Sequence, residues 1–270
     1  MLEDLNRQGM LLLGCGKMGS ALLQGWIDNG LDPAAITVID PHPAAWLNEL
    51  QELRLNEVPQ QAPAVVLIAV KPQMVDAAVP QVTRFGGGKT LFLSIAAGTG
   101  LARFAEHLGS GTPIIRAMPN TPASIGQGIT ALVGNGVARR DHLALAEALL
   151  SSVGETVRLE DESQMDAVTA LSGSGPAYVF HLIESLAAAG EAEGLPPELS
   201  MSLAKATVEG AGALARQADD TPEQLRINVT SPAGTTEAGL KVLMDRETGL
   251  MPLVRQTVAA AAHRSRELGK

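Results

Sequence analysis

The ten residues Met10-Leu11-Leu12-Leu13-Gly14-Cys15-Gly16-Lys17-Met18-Gly19 decide the fold of this chain. Four apolar residues open the stretch and predict a short buried strand. Three glycines with the spacing G-x-G-x-x-G follow at once, and a helical pattern continues through Ala21, Leu22, Trp26 and Ile27. The glycine motif therefore lies between a strand and a helix, which is the context that a dinucleotide-binding fingerprint requires.

Each glycine of this motif has its own physical task. Gly14 makes the turn, Gly16 lets the backbone reach a pyrophosphate, and Gly19 lets the helix pack on the strand. The alternative is an incidental glycine-rich turn, which the placement of the motif disfavours. We interpret Cys15 as a small residue that fits the loop rather than as a redox group. The whole motif is expected to bind the cofactor, namely Gly14, Cys15, Gly16, Lys17, Met18 and Gly19.

An acidic residue, Asp40, follows the second predicted strand, which spans residues 36–39. An acid at this position usually binds the ribose 2′-hydroxyl of NAD and repels the extra phosphate of NADP. Asp40 is therefore expected to bind the cofactor and to favour NADH. Two alternatives stay open, because Asp40 could be a solvated turn residue before Pro41, and His42 could help to hold a 2′-phosphate.

The apolar runs that follow predict an α/β fold with a doubly wound parallel sheet. The run at residues 64–69 is apolar throughout, which is typical of a strand buried on both faces. Ligands bind at the carboxyl ends of such strands. Further strands are predicted at 90–94, 113–117, 129–133 and 155–157, with a helix at 139–150. We assign residues 1–160 to this dinucleotide-binding domain.

No strand is predicted after about residue 160, so we assign residues 161–270 to a second, all-helical domain. Its helices contain many small residues, which allow close contact between helices. A helical half this apolar can hardly bury its surfaces alone, so a homodimer through these helices is expected. The alternative is that the helices pack only on the sheet domain. The helices are predicted at 177–193, 197–217, 222–229, 235–245 and 252–268.

Composition excludes several classes of function. The 270 residues carry a formal net charge of −9 and only 3% aromatic residues, which argues against binding to nucleic acid or to an anionic membrane. The single cysteine excludes an internal disulfide and a cysteine-rich metal site, so no metal is expected. The chain shows neither a signal peptide nor an apolar run that could span a membrane. A cytoplasmic protein is therefore expected.

A second stretch, Ser231-Pro232-Ala233-Gly234-Thr235-Thr236, predicts a loop that opens a helix. A helix start offers unpaired N–H groups and a positive dipole end, which suit a small carboxylate. The threonine hydroxyls can donate or accept a hydrogen bond nearby. The alternative interpretation is an ordinary helix that Thr235 or Thr236 caps.

Taken together, these motifs resemble pyrroline-5-carboxylate reductase from Met10 to about Leu268. The resemblance implies an N-terminal Rossmann domain and a C-terminal helical dimerisation domain. It implies reduction of L-1-pyrroline-5-carboxylate to L-proline with NADPH or NADH, the last step of proline biosynthesis. It also implies a homodimer, and dimers of this family often assemble into decamers. The motifs that carry it lie at residues 14–19, 69–73, 118–122, 171–178, 228–236 and 239–240.

The resemblance also assigns roles to single residues. Thr236 falls where the family has a threonine beside the substrate nitrogen. Ala233, Gly234 and Thr235 fall on the loop that binds the substrate carboxylate, and Ala233 replaces a common glycine. The acidic positions that line the substrate pocket fall on Glu162 and on Asp219, which stands where Glu is expected. Further cofactor contacts fall on Asn56, Ala69, Val70, Lys71, Pro72, Ala96, Ala97 and Asn228.

Two other functions compete with the one that this resemblance implies. A dehydrogenase of the β-hydroxyacid type shares the plan of sheet followed by helices, but it needs a lysine on the long helix, and residues 177–193 contain none. A non-catalytic regulator would bind NAD(P) without turnover. The five histidines lie outside every motif, which agrees with reduction of an imine that arrives protonated and needs no strong general acid.

Overall fold

The computed structural model describes residues 2–269, and within them eight strands form one sheet. The order of the strands across the sheet is β3-β2-β1-β4-β5-β6-β7-β8. This order reverses between β1 and β4, as in the dinucleotide-binding folds of the Rossmann type. The strands are β1 (Met10–Leu13), β2 (Ile36–Ile39), β3 (Arg54–Leu55), β4 (Val65–Ile68), β5 (Leu91–Ser94), β6 (Ile114–Met118), β7 (Gly128–Gly134) and β8 (Gly154–Arg158).

Strands β1 to β6 run parallel, so their carboxyl ends meet at one edge of the sheet. Met10 of β1 lies beside Ile36 on one side and beside Val65 on the other. Every residue of β1, β2, β4 and β5 is buried, as expected for parallel strands covered on both faces. The predicted fold class is therefore confirmed.

Strand β7 runs antiparallel to β6, and β8 is parallel to β7. A parallel crossover needs a dozen or more residues, commonly including a helix. The chain between β6 and β7 holds only a short 3₁₀ turn, Thr121–Ile125. The direction of the chain therefore reverses at this point. The strands at both positions were predicted, but their reversed direction was not.

Two apolar clusters cover the two faces of the sheet, because neighbouring strand residues point to opposite sides. Leu12 lies in one cluster with Leu22 and Trp26, while Leu13 lies in the other with Phe104. The Trp26 indole also donates a hydrogen bond of 2.7 Å to the Leu149 carbonyl. The helices of this unit are α1 (Leu2–Gln8), α2 (Lys17–Asp28), α3 (Val75–Ala78), α4 (Leu101–Leu108), α5 (Arg140–Leu150) and α6 (Met165–Val168).

Helices alone make up the second unit of the described chain. Helices α7 and α8 pack closely there, with Ala187 and Ala204 buried. A Cβ atom on Gly190 would lie 3.0 Å from the Ser200 hydroxyl, so a small residue is needed at this crossing. The helices are α7 (Gly175–Ala192), α8 (Pro197–Gln217), α9 (Pro222–Asn228), α10 (Thr235–Leu243) and α11 (Leu250–Leu268), close to their predicted bounds.

The two compact units divide between Ser174 and Gly175, later than the predicted boundary at residue 161. The reason is that the segment after β8 packs with the sheet, where Met165 is buried in the same cluster as Phe104. The chain also returns to the sheet unit from Ala261 onward. Within residues 2–269, no helix combines the length and apolar character needed to cross a bilayer.

Candidate active site

The glycine motif makes a tight turn at the carboxyl end of β1. Gly14 has a φ of +88°, and a Cβ atom there would lie 3.0 Å from the backbone of Ala69. The Gly14 amide donates a hydrogen bond of 2.8 Å to the Ile39 carbonyl. A Cβ on Gly19 would lie 3.0 Å from the Gly14 carbonyl. Both glycines are therefore required by the close packing of this loop.

Helix α2 begins directly after this loop, and within the described chain its N-terminus has no side-chain cap. Its N-cap is Gly16. A Cβ atom on Gly16 would meet no other atom within 4 Å, so its backbone faces open space. The first N–H groups of α2, beginning at Lys17 and Met18, lack intrahelical partners. The loop therefore fits a pyrophosphate, which binds favourably at a helix N-terminus.

The carboxylate of Asp40 is held in place beside this loop. Its Oδ2 atom accepts a hydrogen bond of 2.7 Å from the Cys15 amide, and its Oδ1 atom accepts one of 2.8 Å from the His42 amide. The Asp40 amide donates to Asn56 Oδ1 at 2.9 Å. The structure thus brings Asp40 and Asn56 together at the end of β2, next to the glycine motif.

Cys15 is buried inside the loop and is a packing residue. Its Sγ atom lies 3.6 Å from the Ser20 hydroxyl. Burial, the largest cause, raises the pKa of the Cys15 thiol, and the nearby Asp40 charge adds to the increase. A thiol that resists ionisation is a poor nucleophile, which agrees with the interpretation of Cys15 as a small residue of the loop.

The ends of β4 and β5 bring further predicted cofactor residues to the same edge of the sheet. The Ala69 amide donates to the Leu13 carbonyl at 2.8 Å, which places Ala69 beside the glycine motif. Val70 is half-buried, while Lys71 and Pro72 are exposed. Beyond β5, the Ala96 amide donates to Ser94 Oγ at 3.2 Å. Ala96 is buried, and its neighbour Ala97 is half-buried.

Glu162 already has two partners inside the sheet unit. Its Oε1 atom accepts hydrogen bonds of 2.8 Å from both the Leu101 amide and Arg116 Nη1. Arg116 was not predicted from the sequence, and its side chain is almost fully buried. These contacts tie Glu162 to the beginning of α4 and to β6. Its predicted contact with the substrate stays a prediction.

In the second unit, the predicted carboxylate loop forms a tight turn before α10. Ala233 has a φ of +58°, in the left-handed region that favours glycine. The Ala233 amide donates a hydrogen bond of 2.6 Å to Glu237 Oε2. Glu237 was not predicted, although its spacing three residues after the N-cap is the signal of a capping interaction.

The first residue of α10 is Thr235, and its N-cap is Gly234. Gly234 has no side chain to cap the helix, and the Glu237 carboxylate bonds the Ala233 amide, which lies before the N-cap. The interpretation that Thr235 or Thr236 merely caps the helix is therefore wrong, because a residue inside the first turn cannot serve as the N-cap. Both threonines are exposed, and the start of α10 offers free N–H groups to an anion.

Asp219 and Asn228 lie elsewhere in the helical unit. Asp219 is an exposed residue between α8 and α9. Asn228 ends α9, where its side chain donates to Asp220 at 3.2 Å and accepts from Gln224 at 2.7 Å. The assignments of Asp219 to the substrate and of Asn228 to the cofactor stay predictions. Among residues 2–269, no group of three His, Cys, Asp or Glu side chains could hold a metal ion.

Two family models match the chain. One is described as pyrroline-5-carboxylate reductase dimerisation and matches residues 162–268. The other is described as NADP oxidoreductase, coenzyme F420-dependent, and matches residues 10–98.

Individual proteins match over nearly the full length. A pyrroline-5-carboxylate reductase from Synechocystis is 40% identical over 96% of this chain and 97% of its own. A solved pyrroline-5-carboxylate reductase from Coxiella burnetii is 35% identical, with a TM-score of 0.90 over 97% of this chain and 99% of its own. The Plasmodium falciparum enzyme, solved with NADP bound, is 28% identical, with a TM-score of 0.84 over 98% of this chain and 99% of its own. On these similarities, the chain belongs to the pyrroline-5-carboxylate reductase family.

Proposed function

We propose that this protein reduces L-1-pyrroline-5-carboxylate to L-proline with NADPH or NADH, in the last step of proline biosynthesis. Membership of the family supports this function. The observation that carries the substrate assignment is the start of α10, where Gly234 leaves the first N–H groups without a side-chain cap. An uncapped helix start that follows a tight turn is suited to a small carboxylate.

The reaction requires little from the protein beyond binding and orienting the substrate and the cofactor. The substrate is a cyclic imine, and once it is protonated its C5 atom accepts a hydride directly. The bound nicotinamide supplies that hydride. The new C5–H bond forms as the electrons of the C=N bond move to nitrogen, which keeps its proton as the ring becomes an amine. The main task of the protein is therefore to hold the reacting atoms in place.

The loop before α10 holds the substrate at two places, its carboxylate and its ring nitrogen. The backbone N–H groups of Thr235 and Thr236 bind the carboxylate, while Ala233 and Gly234 shape the turn. The Thr236 hydroxyl forms a hydrogen bond with the ring nitrogen and steers the imine. This role is one of positioning, because an alcohol is too weak an acid to protonate the imine outright. Glu162 and Asp219 supply acidic groups toward the substrate.

The cofactor lies along the carboxyl edge of the sheet, with its pyrophosphate on the free start of α2. The tight turn at Gly14 and the open face of Gly16 support this placement. Asp40 lies where the ribose of the adenosine half is bound in this fold. The remaining cofactor contacts are Cys15, Lys17, Met18, Gly19, Asn56, Ala69, Val70, Lys71, Pro72, Ala96, Ala97 and Asn228.

The working protein is a homodimer or a decamer assembled from such dimers, in the cytoplasm. Large apolar side chains on the helical unit support an assembly, since Phe180 is 58% exposed and Val242 is 76% exposed in the single chain. Apolar area of this kind is commonly covered by a partner. Light scattering should give an oligomeric mass, and a monomeric mass at micromolar concentration would contradict this assembly.

The function is tested by initial rates of pyrroline-5-carboxylate reduction with NADH and with NADPH. Thr236→Val keeps the shape of the side chain and removes the hydroxyl. Losing a hydrogen bond to a charged group costs roughly 1.5–3 kcal/mol, or about 10- to 150-fold in kcat/KM. Cofactor affinity should stay unchanged.

A matched control is Thr257→Val in α11, where the hydroxyl donates only to the Leu253 carbonyl at 2.9 Å. This variant also exchanges threonine for valine in the helical unit, and it should keep wild-type kinetics. Wild-type kinetics for Thr236→Val as well would show that its hydroxyl has no part in the reaction. Absence of any reduction by the wild-type protein would contradict the function itself.

A further inference from the structure

The loop after β5, residues 95–100, has little means of fixing its own conformation. Its sequence is Ile95-Ala96-Ala97-Gly98-Thr99-Gly100, so Thr99 carries its one polar side chain. Two glycines make the loop conformationally permissive. It nevertheless carries Ala96 and Ala97, which are proposed cofactor contacts. Some other part of the molecule must therefore hold it.

The loop is anchored at its beginning by β4 and β5. The Ile95 amide donates to the Ile68 carbonyl at 2.9 Å, and the Ala96 amide donates to Ser94 Oγ at 3.2 Å. Residues 97 and 98 form a turn, a local contact that does not tie the loop to another strand or helix. The next amide bonded to a distant part of the chain is that of Leu101, at the start of α4.

The anchor at the far end of the loop comes from Glu162, 61 residues along the chain. Glu162 Oε1 accepts the Leu101 amide at 2.8 Å, and it replaces the side-chain cap that Gly100 cannot provide. The same oxygen accepts Arg116 Nη1 at 2.8 Å. Arg116 is 7% exposed and lies beside Ser94 in the pairing of β6 with β5. The beginning of the loop is therefore fastened to β4 and β5, and its far end is fastened to β6 through Glu162 and Arg116.

The loop belongs to the half of the sheet that binds the nicotinamide end of a dinucleotide. The cofactor of such a fold crosses the sheet where the strand order reverses, here between β1 and β4. Asp40, at the end of β2, marks the half that holds the adenosine ribose. The strands beyond the reversal, β4 to β6, therefore hold the nicotinamide half.

We propose that Arg116 and Glu162 are positioning residues that keep the loop 95–100 ready to receive the nicotinamide half of the cofactor. This inference rests on the proposed cofactor site. It gives Glu162 a task before any substrate binds, in addition to its proposed contact with the substrate. It also gives a task to Arg116, whose buried charge has Glu162 as its partner.

The proposal predicts a selective loss of affinity. If removal of the ion pair leaves the loop correctly placed in about one molecule in ten, the apparent Kd for NADH rises about tenfold. ADP contains only the adenosine half and the pyrophosphate, so its Kd should not change. A purely structural role would weaken both ligands or neither.

The test is calorimetric titration of NADH and of ADP in the absence of substrate. Glu162→Ala leaves the Arg116 charge buried and unpaired, which can prevent folding. The double variant Arg116→Met, Glu162→Leu removes both charges and keeps apolar volume, a change that is often tolerated. Glu162→Gln keeps an acceptor for Leu101 and should fall between the wild type and the double variant. A suitable control is Glu147→Gln, which disrupts another Arg–Glu pair of the same unit, with Arg158.

The expected result is a rise of about tenfold in the Kd for NADH in the double variant, with unchanged Kd for ADP and no change for either ligand in Glu147→Gln. Wild-type NADH affinity in the folded double variant would overturn the proposal. An equal loss of NADH and ADP affinity would also overturn it. Failure of the proposed cofactor site has a different signature, because the wild-type protein would then bind neither ligand.

Discussion

Replacing Asp40 with asparagine is expected to move cofactor use from NADH toward NADPH. Both oxygens of the Asp40 carboxylate are held by backbone amides, at 2.7 Å from Cys15 N and 2.8 Å from His42 N. The side chain therefore cannot turn away from a ribose 2′-phosphate without breaking a hydrogen bond. Asparagine has nearly the same shape and no charge, so the substitution removes the charge at the cost of one of these two hydrogen bonds.

The magnitude follows from the half-buried position of Asp40. Two unit charges about 4 Å apart repel by roughly 1 kcal/mol in water and roughly 4 kcal/mol at the dielectric constant of a protein surface. We therefore expect a carboxylate beside a 2′-phosphate to disfavour NADPH by about 1–3 kcal/mol. Its removal should change the ratio of kcat/KM for NADPH to kcat/KM for NADH by roughly 5- to 150-fold. Affinity for both cofactors should also fall modestly, because the amide offers one acceptor where the carboxylate offers two.

The assay is kcat/KM for NADH and for NADPH at saturating pyrroline-5-carboxylate, for wild type and Asp40→Asn. The ratio of the two values cancels any general damage to the loop. Asp32→Asn serves as a control, because Asp32 is an exposed acid at the opposite end of β2. If the wild type used NADPH better than NADH and Asp40→Asn left the ratio unchanged, the electrostatic role of Asp40 would be refuted.

Three further predictions follow from the loops of the site. Gly14→Ala should lower the free energy of unfolding by about 2 kcal/mol or more and weaken NADH binding, because φ is +88° and the new Cβ would lie 3.0 Å from the Ala69 backbone; urea titration measures this, and an unchanged midpoint would contradict it. Ala233→Gly should raise the free energy of unfolding by up to about 1 kcal/mol, because relief of the left-handed conformation exceeds the added chain entropy; a less stable variant would speak against strain at this turn. Cys15 should react slowly with iodoacetamide near pH 8, because burial raises its pKa and keeps the thiolate scarce; rapid alkylation in intact-mass measurements would show that the thiol is accessible.

The strands could be predicted from the sequence because buried parallel strands are continuous apolar runs. Strand β3 escaped prediction because Arg54 and Leu55 are too few to show a period. The direction of β7 is not encoded in its own residues, since it depends on the short connection from β6. The glycine motif and the loop at Ala233 were recognisable because each turn is formed by consecutive residues of a specific sequence.

Contacts between distant residues could not be predicted in this way. Arg116 and Glu162 are 46 positions apart, and nothing in the local pattern around either residue names the other. Glu237 is different, since its spacing from the helix start was visible in the sequence. The boundary between the units also depends on packing, because Met165 joins the sheet unit through contacts that chain position does not reveal.

The end of α11 has a consequence for how the protein is made. Ser265 donates a hydrogen bond of 2.6 Å to Asp166, and a Cβ atom on Gly98 would lie 3.3 Å from the Leu268 side chain. These residues leave the ribosome only after the whole helical unit, and synthesis of that unit takes roughly 4–17 s at about 5–20 residues per second. During that interval the nascent sheet unit lacks its final piece beside the loop that follows β5. The cofactor-binding unit is therefore completed only after the helical unit has been synthesised, long after its glycine motif has emerged.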